Sequence, residues 1–222
     1  MTHDRNERSA RPRARYERES TALEFDRVAF FSDAVFAIAM TLLVVGIGIP
    51  AVSDGDLGDA LRDKQPEIIS FFISFVVIGN YWLGHHRFFA RLCAVSTRLM
   101  TINLVYLAAI AFVPFPTALA GKYTEEPVSI VMYAITLSVA SGLEAVLFVV
   151  AHREGLFRNA MPRPVVRYTV FATVIPVAVF LGSIPLAFIS TTYALYSWLL
   201  IFPLEYLLDA ALKPRDADEL LA

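Results

Sequence analysis

Arg27-Val-Ala-Phe-Phe-Ser-Asp-Ala-Val-Phe-Ala-Ile-Ala-Met-Thr-Leu-Leu-Val-Val45 is an apolar run of membrane-spanning length that nevertheless carries a carboxylate at Asp33 and hydroxyls at Ser32 and Thr41. Crossing the hydrocarbon core takes about 20 residues of helix. Ionisable groups at that depth are costly, so they serve packing networks or ion pathways. A helix of this composition is not an inert anchor.

The rest of the chain repeats the length signal. Of 222 residues, 57% are hydrophobic and only 18% charged, a balance too apolar for a soluble domain. Apolar windows stand near 28–50, 67–88, 97–119, 128–151, 166–184 and 187–209. The sequence therefore predicts an all-α polytopic membrane protein with six transmembrane helices. Residues 1–26 hold charges and no apolar core, so no cleaved signal is expected and insertion is expected to start with the first helix. The single cysteine, Cys93, excludes an intrachain disulfide.

Basic residues orient the chain. Arg5, Arg8, Arg11, Arg13, Arg15, Arg18 and Arg27 precede or open helix one. Arg87, Arg91 and Arg98 lie between helices two and three, Arg153, Arg158, Arg163 and Arg167 between four and five, and Lys213 and Arg215 close the chain. Only Arg62, Lys64 and Lys122 fall on the other side, so both termini are expected in the cytoplasm. An even helix count agrees. The predicted layout is a disordered basic tail over 1–24, one six-helix domain over 25–210 and a cytoplasmic tail over 211–222.

Punctuation within the chain is dense. Gly46, Gly48 and Pro50 stop helix one. The acidic segment Asp54 to Asp63 reads as a solvated loop or short surface helix. Val113-Pro-Phe-Pro-Thr117 should kink or finish helix three, and Pro176 should bend helix five. Gly182 to Pro185 is expected to turn the chain tightly into helix six, which contains Pro203 and Glu205.

At 100° per residue, Ile38, Thr41, Leu42 and Val45 share one stripe of helix one with Ala34 just below it, while Asp33 lies about 140° from Ile38. If that stripe lines a pore, Asp33 must point into the bundle as a hydrogen-bond partner. Helix two ends in Asn80-Tyr-Trp-Leu-Gly-His-His-Arg87, at about the depth of Ser32 and Asp33. Adjacent histidines point in different directions and grip one metal poorly. Donors from Trp82 and a histidine would instead satisfy the Asp33 carboxylate. No His-Glu-x-x-His, Gly-x-Ser-x-Gly or Walker pattern is present, so no enzyme, no metal and no cofactor are expected.

Arg27-x-x-x-Phe31-Ser32-Asp33, running into Val35-Phe-Ala-Ile-Ala-x-Thr-Leu-Leu, together with Trp82-x-x-His85-His86, resembles the transmembrane protein 175 family of potassium channels. The resemblance implies a single-repeat prokaryotic channel in the plasma (inner) membrane, with four copies of helix one around the pore. It places the apolar constriction at Ile38, continued by Leu42 and Val45, and selectivity at Thr41. Arg27, Phe31, Ser32 and Asp33 would then form the motif that braces helix one, supported by Trp82, His85 and His86. Val45 is smaller than the leucine expected there. A ring of four Ile38 side chains would gate by dewetting, and without a carbonyl cage potassium would be preferred only modestly over sodium. Partners on this reading are potassium ions, the bilayer and further copies of the chain, with no nucleic acid. Two rivals remain: a secondary transporter or proton pathway using Asp33, Glu144 and Glu205, and a membrane enzyme centred on His85 and His86.

Overall fold

The computed structural model describes residues 25–50 and 56–214. The basic tail 1–24, Asp54 and the chain beyond 214 lie outside the described residues. Helix α1 covers Phe25–Val45 and α2 is a short surface turn over Leu57–Asp63. Then come α3 (Gln65–Ala90), α4 (Thr97–Phe112), α5 (Pro114–Lys122), α6 (Pro127–Arg153), α7 (Arg163–Ala187), α8 (Thr191–Ser197) and α9 (Ile201–Leu212). Six of the resulting helical stretches are long and apolar enough to span a membrane: α1, α3, α4 with α5, α6, α7, and α8 with α9. Among the described residues there is no strand.

Prolines and serines set the boundaries. Pro66, Pro114, Pro127 and Pro164 sit at the first positions of α3, α5, α6 and α7, where a missing N–H removes no helical bond. Ser96 caps α4 by accepting from the Leu99 amide at 3.1 Å. Pro114 divides the third span, yet Val113 stays helical, so α5 continues the line of α4. α6 ends on Gly155 at φ +66°, with the Leu156 amide bonding the Ala151 carbonyl and the Gly155 amide the His152 carbonyl. That pairing closes a helix C-terminus and requires a left-handed residue.

The expected turn at Gly182–Pro185 is corrected by the structure. α7 runs through Pro185 to Ala187, and the turn falls at Phe188–Ser190. Near a helix end Pro185 forfeits a single backbone bond, whereas Ser190 caps α8 and fixes the restart there. In the last span a 3-10 turn at Trp198–Leu200 precedes Pro203, which cannot donate to the fourth carbonyl before it.

α6 is central. It packs on α7, α4 and α5, and buries residues from Ser129 to Ala151. α9 buries none and is outermost. α3 is hydrogen-bonded to its neighbours through hydroxyls. The Ser74 Oγ lies 2.5 Å from the Tyr133 hydroxyl of α6 and 2.8 Å from Thr117 Oγ1 of α5. The Tyr81 hydroxyl lies 2.6 Å from Ser141 Oγ. Because lipid offers polar groups nothing, such contacts are how spans recognise each other.

On the side carrying Arg91 and Arg158 the connections are joined. The Arg158 amide bonds the Arg91 carbonyl, the Cys93 amide bonds the Leu156 carbonyl, and the Arg158 Nε donates to Leu92 O, all at 2.9 Å. The α3–α4 and α6–α7 connections therefore act as one clasp.

Candidate functional site

Helix α1 has two faces of opposite character. Ser32, Phe36, Ala39 and Leu43 are buried against the chain's own bundle. Ile38, Thr41, Leu42 and Val45 turn the other way and are exposed, Ile38 by 57% and Val45 by 71%, against 1% for Phe36. Residues at spacings of three and four lie on one side of a helix, so the two sets cannot share a partner. The exposed stripe continues through Ala34 and Phe31 to Arg27.

The buried face is anchored by a directed hydrogen-bond chain. Ser32 Oγ donates to the Val28 carbonyl at 2.9 Å, and Asn103 Nδ2 of α4 donates to Ser32 Oγ at 3.0 Å. Asn103 Oδ1 can only accept, so the His85 Nε2 of α3, 2.8 Å away, donates to it. This fixes both the amide orientation and the position of the histidine proton. Phe36, Phe89 and Tyr106 surround the His85 ring, with Tyr106 parallel to it at 5.6 Å and Phe89 stacked at 4.4 Å. Beside this chain, Trp82 Nε1 donates to Asp33 Oδ1 at 2.8 Å. Three helices are thus joined at one level.

Of the four motif residues in helix one, Ser32 and Asp33 make the contacts within the bundle. Arg27 and Phe31 are exposed and turn towards the side of Ile38. The histidines separate. His85 does not reach Asp33 but serves Asn103, and His86 is exposed with its ring over Trp82 at 5.5 Å. The Asp33 carboxylate therefore accepts from tryptophan and not from a histidine, because successive residues on α3 face different neighbours.

Asp33, Glu144 and Glu205 occupy separate surroundings. Asp33 lies between α1 and α3, Glu205 is on the outermost helix α9, and Glu144 of α6 rests on α3 at Gly84. A Cβ on Gly84 would stand 2.7 Å from Glu144 Oε1, so glycine is what admits that carboxyl. Among the described residues no three His, Cys, Asp or Glu side chains converge as a metal site would need.

Asn103, Tyr106 and Gly84 were not singled out from the sequence. An amide inside the apolar run Ile102-Asn-Leu-Val-Tyr106 was a usable signal, since such groups mark helix contacts. Gly84 gave none, because its role depends on where α6 places Glu144.

Comparison with known proteins fits this architecture. The family described as endosomal/lysosomal potassium channel TMEM175 matches residues 27–114, the stretch holding α1, α3 and α4. A potassium channel of Streptomyces collinus is 36% identical over 152 residues, covering 66% of this chain and 74% of that protein. One from Chamaesiphon minutus is 35% identical over 133 residues, 59% of this chain and 64% of that one. The crystal structure of a lysosomal potassium-selective channel TMEM175 homolog from Chamaesiphon minutus superimposes with a TM-score of 0.72 at 27% identity. It covers 84% of this chain and 98% of that one. With two-sided α1, its Asn103–His85 anchor and relatives that align along most of their own length, the chain belongs to the TMEM175 family of potassium channels.

Proposed function

We propose that the protein is a potassium channel of a prokaryotic plasma membrane, with four copies arranged around α1 and both termini cytoplasmic. The observation that carries this reading is the exposed stripe Ile38, Thr41, Leu42 and Val45 on a helix whose opposite face is fully committed. Lipid could cover such a stripe, but it would give no reason for Thr41 to stand among three aliphatic neighbours. Thr41 gives its hydroxyl proton to the Ile38 carbonyl at 2.8 Å, which leaves the oxygen's lone pairs turned outward. Four such oxygens one turn beyond four Ile38 side chains offer a partly dehydrated cation a ligand next to a dry neck. The arrangement contains no carbonyl cage, and a tenfold preference for potassium over sodium requires only about 1.4 kcal/mol. α1 begins and α9 ends on the side where most Lys and Arg residues fall by helix count, which supports the cytoplasmic placement.

The test is potassium flux into liposomes holding the purified protein, with sodium in parallel. An Ile38→Asn variant should wet the neck and raise flux. Thr41→Val keeps the shape, removes the oxygen, and should narrow the difference between the two ions. Flux unchanged by Ile38→Asn would remove α1 from the pore.

A further inference from the structure

Asn80 stands where a protomer in lipid could not keep it. It lies within the second span, on the face of α3 opposite the buried Ser74, Ile78, Tyr81 and His85. It is exposed and has no hydrogen bond to any described residue. The exposed hydroxyls of Thr41 and Thr101 are returned to the carbonyls of Ile38 and Thr97, but Asn80 has no such return. A bare amide in hydrocarbon leaves two donors and an acceptor unmet, so polar side chains in spans face protein or water. Its stripe-mates Phe72, Val76 and Leu83 are exposed and apolar, which makes this a packing face and not a water-lined wall.

Its depth follows from the anchor. Asn103 bonds His85 on one side and Ser32 on the other. Five residues outward along each helix brings Asn80 level with Ala108 of α4 and with Ala37, the neighbour of Ile38, on α1. Ala108 is also exposed, on a stripe with Leu104, Val105 and Phe112. α3 and α4 both bond α1 at this end, α3 through Trp82–Asp33 and α4 through Asn103–Ser32, and each turns its own stripe out of the bundle. A closed ring of identical subunits needs two different faces that fit each other.

We propose that the α3 face bearing Asn80 docks on the α4 face bearing Ala108 of a neighbouring copy. The Asn80 amide donates there to a backbone carbonyl of that α4. Ala108 supplies the small side chain that lets two helix backbones approach, and a helical carbonyl retains a lone pair for a second donor. The seam lies at the depth of Ile38, so subunit packing and neck width are set at one level. This inference rests on the ring of four copies proposed above.

The experiment is cysteine cross-linking in native membranes. In a Cys93→Ser background, Asn80→Cys combined with Ala108→Cys should give an oxidation ladder up to the tetramer. Either single variant should not, since a disulfide needs Cβ atoms about 4 Å apart. Leu199→Cys with Ala108→Cys is the off-seam control. A tetramer by native mass spectrometry without a ladder overturns the seam and leaves the ring. A monomer overturns the ring itself. A second variant, Asn80→Leu, should make the tetramer dissociate at lower detergent concentration. Equal or greater persistence would mean that Asn80 faces lipid, and would overturn the seam.

Discussion

Replacing Asn103 by leucine tests whether the buried polar chain, and not apolar contact alone, holds α1. The two residues are close in size and Asn103 is 2% exposed, so the change removes hydrogen bonds with little change of volume. The bonds lost are His85 Nε2 to Asn103 Oδ1 at 2.8 Å and Asn103 Nδ2 to Ser32 Oγ at 3.0 Å. A neutral hydrogen bond contributes about 1 kcal/mol net, and a buried donor left without an acceptor costs roughly 1–3 kcal/mol. Bonds between membrane helices measure nearer to about 0.6 kcal/mol, because a chain unfolded in lipid also finds partners. Ser32 keeps its own acceptor, the Val28 carbonyl, so the main penalty falls on the His85 donor, enclosed by Phe36, Phe89 and Tyr106. The expected loss is about 2–3 kcal/mol, roughly a 30- to 150-fold change in the folded ratio. Ser32→Ala, which orphans only one amide hydrogen, should cost about 1 kcal/mol. Reversible unfolding in mixed micelles at fixed protein concentration measures both. If Asn103→Leu lies within about 0.5 kcal/mol of the parent, the chain is not what fixes α1, and the reasoning fails.

Trp82→Phe keeps a ring over His86 but removes the donor from Asp33, and should cost about 1.5 kcal/mol. A double-mutant cycle with Asp33→Ala, which removes the acceptor, should show coupling near about 1 kcal/mol, and additive losses would mean that the bond contributes nothing. Two glycines separate by what their missing Cβ would meet. At Gly121 it would stand 2.9 Å from the Glu67 Cα, and at Gly84 it would meet only the tip of Glu144. Gly121→Ala should therefore cost about 3 kcal/mol and Gly84→Ala about 1 kcal/mol, within the range of overpacking penalties. Glu144→Ala should restore the Gly84 variant and not the Gly121 variant, as thermal unfolding of the four proteins would report.

Six spans were legible because membrane helices declare themselves by length and composition, which need no tertiary contact. The placement of Asp33 was legible for the same reason, since a 100° step separates it from Ile38 whatever surrounds the helix. What the sequence withheld lay in the contacts between helices. Asn103 and Gly84 acquire meaning only when α4 and α6 arrive beside α3, and nothing local announces which helices will meet. The boundary at Gly182–Pro185 misled because glycine and proline suggest a turn, while in lipid a helix near its end keeps its remaining backbone bonds by continuing. Phe31 and Arg27 belong with the motif in sequence but face the exposed stripe.

In the proposed channel the same contacts would decide how the neck widens. α1 is tied on its inner half by Asn103 and Trp82 through Ser32 and Asp33. Farther out, a Cβ on Gly46 would meet the Ala118 Cβ at 3.0 Å, so α1 sits close on α5. Turning α1 alone would break both inner bonds, about 1.6 kcal/mol together, with about 1 for Trp82–Asp33 and about 0.6 for Asn103–Ser32. Moving whole protomers about their seams breaks neither. The second route is cheaper, and it predicts how tether mutations behave in flux. If α1 moved alone, Trp82→Phe would favour the open state by the bond it no longer has to break, raising the open-to-closed ratio about fivefold for about 1 kcal/mol. If protomers move as bodies, the bond is intact in both states. The variant then lowers stability while single-channel open probability stays where it was. A fivefold rise in opening would overturn the rigid-body route and place the moving part in α1.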